Sequence, residues 1–216
     1  MSKTLATRTA FHIAKTYGAS VSMTALTNAA EAVATLAAGH GAVVGDYLEV
    51  TSGWGRLNGS IVRVKAVATN DATLEGFNST STTNFPAGAG IGSIRRITAW
   101  DRLSQVFDIS SSGGDQQYED ATDFDSEIEV KIPTLRNAVA QALQFFDDPS
   151  LPWYATVAAA SDAATPSGFR MDLPSGSKLV ANAYWSLQKE PIVQKNKVLA
   201  AKIDLSYAAP SMRYAT

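Results

Sequence analysis

The sequence predicts a mainly β fold with one α-helix. Three observations carry that expectation. Apolar residues alternate with polar ones over short stretches, the period of strands with one buried face. Clusters of Gly, Pro, Ser and Asn punctuate those stretches as turns. A single segment carries its apolar residues at helical spacing instead.

In chain order, Thr9–Tyr17 reads as an N-terminal strand. Asn28 to Gly39 permits two structures. Asn28 with Glu31 fits the cap of an alanine-rich helix, whereas Val33, Thr35 and Ala37 alternate with Ala32, Ala34 and Leu36 as a strand would. Leu48 and Val50 alternate with Tyr47, Glu49 and Thr51; Val62, Val64 and Ala66 alternate with Arg63 and Lys65. Thr80 to Gly92 is a turn-rich stretch of small residues that closes a first β-rich unit, and Ile94 to Ile97 leads into a second. Pro133-Thr134 precedes Leu135, Val139, Leu143 and Phe146, a stripe that predicts a helix over about 134–147. Thr134 would cap it and Asp147-Asp148-Pro149 would stop it. Lys178–Leu187 reads as a strand, as does the run in which Leu199, Ala201, Ile203 and Leu205 alternate with Ala200, Lys202, Asp204 and Ser206. Ala208 to Thr216 has no periodicity and reads as a tail.

Composition narrows the function. Charged residues make up 18% of 216, below the usual quarter, which leaves neutral and apolar surface for protein contacts. The net charge of −2 lacks the basic surplus with which proteins neutralise phosphates. With no cysteine there is no disulfide, thiolate metal site or cysteine nucleophile. Met1 to Gly18 holds Lys3, Arg8 and Lys15 without a long apolar run, so neither a signal peptide nor a membrane segment is expected there. The two histidines, His12 and His40, sit in no motif with carboxylates at ligand spacing. Gly88-Ala89-Gly90-Ile91-Gly92 has the wrong spacing for a dinucleotide fingerprint and reads as a loop. No catalytic residue, metal or cofactor is assigned.

The informative segment is Asp115 to Ile132, DQQYEDATDFDSEIEVKI. As a strand or hairpin arm it would put Tyr118, Phe124, Ile128, Val130 and Ile132 on one face. Glu119, Asp123, Asp125, Glu127 and Glu129 would fall on the other. Five like charges on one strand face repel one another, so stability alone does not select them. They serve either as a solvated edge that keeps the chain soluble or as a surface that faces a polyanion without binding it.

The order of features from Trp100 onward resembles the tail tube proteins of long-tailed, siphovirus-type, non-contractile bacteriophages. The resemblance rests on Ser111-Ser112-Gly113-Gly114-Asp115-Gln116-Gln117-Tyr118, the acidic strand, and Ile132-Pro133-Thr134. It continues through Asp147-Asp148-Pro149, Leu173-Pro174-Ser175-Gly176-Ser177, Trp185-Ser186-Leu187 and the terminal strand. It implies a β-sandwich with a flanking helix, hexameric rings with a shared inner β-barrel, and stacking of rings into a tube. It also implies that genomic DNA passes through without specific binding. The implied partners are further copies, a tape-measure protein and other tail proteins, with no membrane. Assembly in the host cytoplasm and residence in the virion tail follow.

Val21 to Gly92 resembles a small β module of phage structural proteins, on Gly39-His40-Gly41, Gly45-Asp46-Tyr47, Ser52-Gly53-Trp54 and Leu57-Asn58-Gly59. In that pattern the residues before His40 form a strand. The same spacing resembles SH3-like barrels. The tube-forming unit is then 1–20 with 94–216, and 21–93 is an inserted barrel. On this reading Glu119, Asp123, Asp125, Glu127 and Glu129 line the lumen and repel DNA. Lys189, Lys195, Lys197 and Lys202 are candidate contacts between rings. The alternatives are a tail terminator or completion protein of similar fold, and a nucleic-acid-binding module using the SH3-like unit, in which Arg63 and Lys65 are the only close basic pair on a strand.

Overall fold

The computed structural model describes residues 5–215, so residues 1–4 and 216 of the expected tube-forming unit lie outside the described residues. The first unit of chain contains β1 (Ala10–Tyr17), β2 (Val21–Leu26), β3 (Val33–Leu36), β4 (Tyr47–Ser52), β5 (Ile61–Ala68), β6 (Asp71–Leu74) and β7 (Gly92–Leu103). Then come β8 (Val106–Ser112), β9 (Gln116–Asp120), β10 (Lys131–Arg136), β11 (Ala140–Phe146) and α1 (Pro152–Ala163). β12 (Ser167–Asp172), β13 (Lys178–Leu187), β14 (Ala200–Tyr207) and β15 (Met212–Tyr214) complete the chain. The protein is mainly β, as its periodicity predicts, with one helix.

β7 serves two bodies of structure. Its first residues pair with β2 (Val21 opposite Ile94) and β4 (Val50 opposite Ile94), and its later ones pair with β1 (Ala14 opposite Trp100). The ladder β2-β3-β6-β5-β4-β7 closes through the β2–β7 pairing into a barrel without free edges. Its interior is filled by Leu48, Val50, Val62, Val64 and Ile94, with Trp54 packed edge-on to Phe85. A bulge between Val64 and Ala66 turns Ala66 outward, where strict alternation predicts it buried.

The other ladder runs β7-β1-β12-β13-β14-β11-β8. Its end strands are joined by Ser104 and Gln105 alone, so the sheet curls until its edges approach at one end. Ile13, Phe169, Trp185, Leu143, Phe145, Ile203 and Leu205 fill the curl. α1 covers it with Trp153 and Val157; the Trp153 ring meets Phe145 edge-on at 5.0 Å, and its Nε1 donates to Ser104 Oγ at 3.1 Å.

The expected helix over 134–147 is a pair of strands instead. Gln141, Leu143 and Phe145 form a buried period-two series in β11, held between β14 and β8. Pairing on both sides decides against the helical stripe, which rested on Leu135 and Val139 outside that strand. The helix lies at Pro152–Ala163, where Pro152 fits the first turn, and it ends on left-handed Ala164 before Thr165-Pro166. Asp148 precedes this helix and does not end one: its Oδ1 accepts from Ser150 N at 3.0 Å. The segment before His40 is a strand, β3.

Barrel and curled sheet meet in a third buried cluster of Ala14, Tyr47, Ile61, Ile97, Val180 and Tyr214. This is why Tyr47 and Glu49 are buried although alternation turns them away from Leu48 and Val50. Gly168 fits there because a Cβ would press on Ala14, Ile61 and Ile97 at 3.0–3.1 Å. Glu49 accepts from Asn182 Nδ2 at 3.0 Å across the junction and pairs with Arg95. The expected tail is also ordered: β15 pairs with β13, and Arg63 N donates to Tyr214 Oη at 2.7 Å.

Candidate assembly surface

The strand pair β8–β11 does not stop at the edge of the body. Ala140 lies opposite Ser112 and Arg136 opposite Gln116, with Gly114 N donating to Asn137 O and Asn137 N to Asp115 O between them. β9 and β10 thus continue one hairpin as a two-stranded arm. At its base Gly113 and Gly114 both take positive φ, 77° and 82°. A Cβ on Gly113 would come within 2.1 Å of Ala138 O, so the close crossing requires glycine.

The arm has no core. Every residue of β10 is exposed, as are Tyr118, Phe124, Ile128, Val130, Ile132 and Leu135. An isolated two-stranded hairpin is marginal in water, and a chain exposing six large apolar groups on one is provisioned for burial elsewhere. β8 has a neighbour on one side only, among the described residues, and carries no lysine or proline to blunt its open edge.

Of the five carboxylates assigned to one strand face, only Glu119 is in a strand. Asp123, Asp125, Glu127 and Glu129 lie in the turn region 121–130 between β9 and β10. Turn geometry explains the departure: Asp120 accepts from Thr122 N and Oγ, ending the strand, and Ser126 N donates to Asp123 O. Those hydrogen bonds hold the Asp120 carboxyl below its ordinary range. The acidic character persists, with seven carboxylates against two basic groups from Asp115 to Arg136.

The four lysines do not form one patch. Lys189 pairs with Asp162 at 3.0 Å and Lys202 with Asp204 at 2.7 Å, both within the chain. Lys195 and Lys197 lie on the loop between β13 and β14. Beside that loop is a surface the sequence reading missed. Phe107 and Phe146, at the body end of the β8–β11 pair, stack at 4.8 Å while half exposed. They line a groove of about 490 Å³ with Ile192, Lys197 and Val198.

Other polar sites serve the fold. His12 sits between Arg170, Arg102 and Asp172; burial first, then the Arg170 charge, lowers its pKa to about 4, so it is neutral at pH 7. Arg170 stacks on Trp100 at 4.8 Å. Arg63 and Lys65, the basic pair considered for nucleic acid, are paired with Glu75 and Glu31 and are not free for phosphates. Among the described residues no group of His, Asp and Glu is arranged to hold a metal ion.

The profile of one family, described as phage tail tube protein, TTP, matches residues 52–216. The chain belongs to the phage tail tube protein family. A tail tube protein is a structural component of the virion tail and not an enzyme. The match covers β5 onward, including the arm, the groove and the curled sheet. Solved structures align in part. The tail of an empty GTA particle, computed with helical refinement in C6 symmetry, overlaps 54% of this chain and 87% of its own at 8% identity and TM-score 0.42. The six-fold symmetrised baseplate of the anti-feeding prophage overlaps 55% and 86% at 9% identity and TM-score 0.40. The cap that terminates the anti-feeding prophage tube overlaps 54% and 83% at 14% identity and TM-score 0.37. No curated protein matches this chain.

Proposed function

We propose that this tail tube protein builds hexameric rings that stack into the tube of a long, non-contractile tail. The observation that carries the proposal is the coreless arm, β9–β10, projecting from a body whose end strand β8 has a neighbour on one side only among the described residues. Each is a surface that a second copy completes. Strand addition along β8 joins subunits side by side by rotation and closes a ring, while the arm reaches a neighbour along the axis. Six is the ring size that the resemblance to tail tube proteins implies. The tape-measure protein occupies the channel before ejection, and assembly takes place in the host cytoplasm.

The carboxylates Glu119, Asp123, Asp125, Glu127 and Glu129 give the lumen a negative surface along which DNA slides without sticking. Support for this is the excess of acid on the arm together with its lack of partners: among the described residues only Glu129 of the five forms an ion pair, with Lys131 at 2.9 Å. The unit 1–20 with 94–216 forms the wall, and the barrel over 21–93 is an accessory body fixed to it.

Electron microscopy of concentrated protein tests the reading. Rings and stacked tubes are expected. Single rings that never stack would indicate a terminator, and dispersed monomers at every salt concentration would overturn the proposal. Binding to DNA in a mobility-shift assay would favour a nucleic-acid module instead.

A further inference from the structure

The arm and the groove sit at opposite ends of one strand pair. β8 runs seven residues from Val106, beside the groove, to Ser112, where the arm begins. At about 3.3 Å per residue the two ends are roughly 20 Å apart, and the arm extends beyond its end. A chain that carries two unlike, unfilled surfaces at its two ends associates head to tail and without limit.

Their chemistry matches. The turn region of the arm presents Phe124, the most exposed aromatic ring of the described residues, among Asp123, Asp125 and Glu127. The groove offers the stacked Phe107–Phe146 pair and Val198 as an apolar floor. Lys197 lines the groove and Lys195 lies two residues before it on the same loop, with no carboxylate paired to either among the described residues, whereas Lys189 and Lys202 are engaged within the chain. The loop is held in place by hydrogen bonds from Ile192 N to Ala200 O and from Lys197 N to Gln194 O.

We infer that the turn of one copy's arm docks into the groove of the next copy along the tube, seating Phe124 on Phe107 and Phe146 and pairing the Asp123–Glu127 carboxylates with Lys195 and Lys197. This rests on the tube reading and specifies the contact between rings. The contact takes Asp123, Asp125 and Glu127 out of the lumen and leaves Glu119 and Glu129, which flank those three in the chain, as the carboxylates that face it. The aromatic contact supplies burial and the charge pairing supplies direction, since arms repel arms and attract grooves.

The chain has no native cysteine, so introduced thiols report on single contacts. Variants Phe124→Cys and Val198→Cys, mixed under assembly conditions and oxidised, are expected to give covalent pairs that neither variant gives alone. Val198→Cys and Phe124→Cys in one chain should give a ladder of oligomers. If unmodified protein forms tubes but the mixed variants never cross-link, the docking assignment is overturned and the tube reading survives. If unmodified protein forms no tubes, both fall. A second readout covers variants that assemble poorly. Lys195→Glu with Lys197→Glu should leave separate rings with at least a tenfold loss of stacked particles, and Asp123→Lys with Asp125→Lys should restore stacking to that variant. Unchanged stacking after the lysine replacements would also overturn the assignment.

Discussion

Glu49 joins the barrel to the curled sheet, and its removal has a calculable cost. Its side chain is a tenth exposed, with one oxygen accepting from Asn182 Nδ2 at 3.0 Å and the other from the Arg95 guanidinium. Asn182 is 1% exposed and its Oδ1 already lacks a partner. Glu49→Ala therefore leaves the whole amide of Asn182 unsatisfied, at about 1–3 kcal/mol. Arg95 is half exposed and is rehydrated, so its lost pairing adds little. A domain of this length loses roughly 2–4 °C of Tm per kcal/mol, which sets the expected fall at about 5 °C. Glu49→Gln keeps an acceptor for Asn182 and should lose less than half as much. Thermal unfolding followed by circular dichroism measures both. If the two variants fall equally, the charge on Glu49 and not the stranded amide holds the junction, and the reasoning fails.

Acid should weaken the fold through His12. Its pKa is near 6.5 when unfolded and about 4 when buried beside Arg170 and Arg102, with Asp172 opposing the shift. The unfolded chain binds the proton first, so the contribution is complete above pH 6.5 and is lost as pH falls toward 4, by at most about 3 kcal/mol. Urea midpoints for the native chain minus those for His12→Gln, taken at pH 7 and 4.5, isolate this share. Gly113→Ala should abolish tubes while moving the Tm of the body by only a few degrees, because the clash with Ala138 O falls at the base of an arm that no core depends on. Trp153→Ala should cost about 3–5 kcal/mol, since the ring is 1% exposed against Phe145, and calorimetry should register a fall of roughly 10 °C. Glu119→Lys with Glu129→Lys, which leaves the docking carboxylates in place, should slow genome release from particles; release at the native rate would remove these two groups from the lumen.

What was legible in the sequence was mostly local. The turn cluster Leu173–Ser177 marks the start of β13 at Lys178, and such clusters mark most strand ends. Glu49 and Tyr47 were misplaced because alternation describes one buried face, and a second layer of protein buries the other. The segment from Leu135 to Phe146 fits helical and strand periods alike, and the ladders of β14 and β8 on either side choose between them. The true helix hides because alanines at 155, 158, 159, 160 and 163 give it little contrast between faces, although Pro152 marks its start. The arm was legible as an acidic hairpin. Its bent base and its turn were not, since they depend on a backbone crossing at Gly113 and on side-chain capping by Asp120. The groove could not be read locally, because Phe107, Phe146 and Val198 come together only through the sheet.

The excess of acid on the arm also settles a hazard of this architecture. A monomer with an open edge and a coreless hairpin invites arms to pair with arms, which would consume the surface needed for stacking. Seven carboxylates against two basic groups make that encounter repulsive once two arms come within a Debye length, about 8 Å at physiological salt. The same charge is attractive toward Lys195 and Lys197, so one composition disfavours the wrong contact and favours the right one. Both effects are screened together. Rising salt should therefore lower the yield of ordered tubes and raise that of irregular aggregates, a pair of changes that light scattering and microscopy can separate. A chain whose tubes grow better with salt, without aggregates, would show that apolar burial alone governs the arm and that its carboxylates act elsewhere.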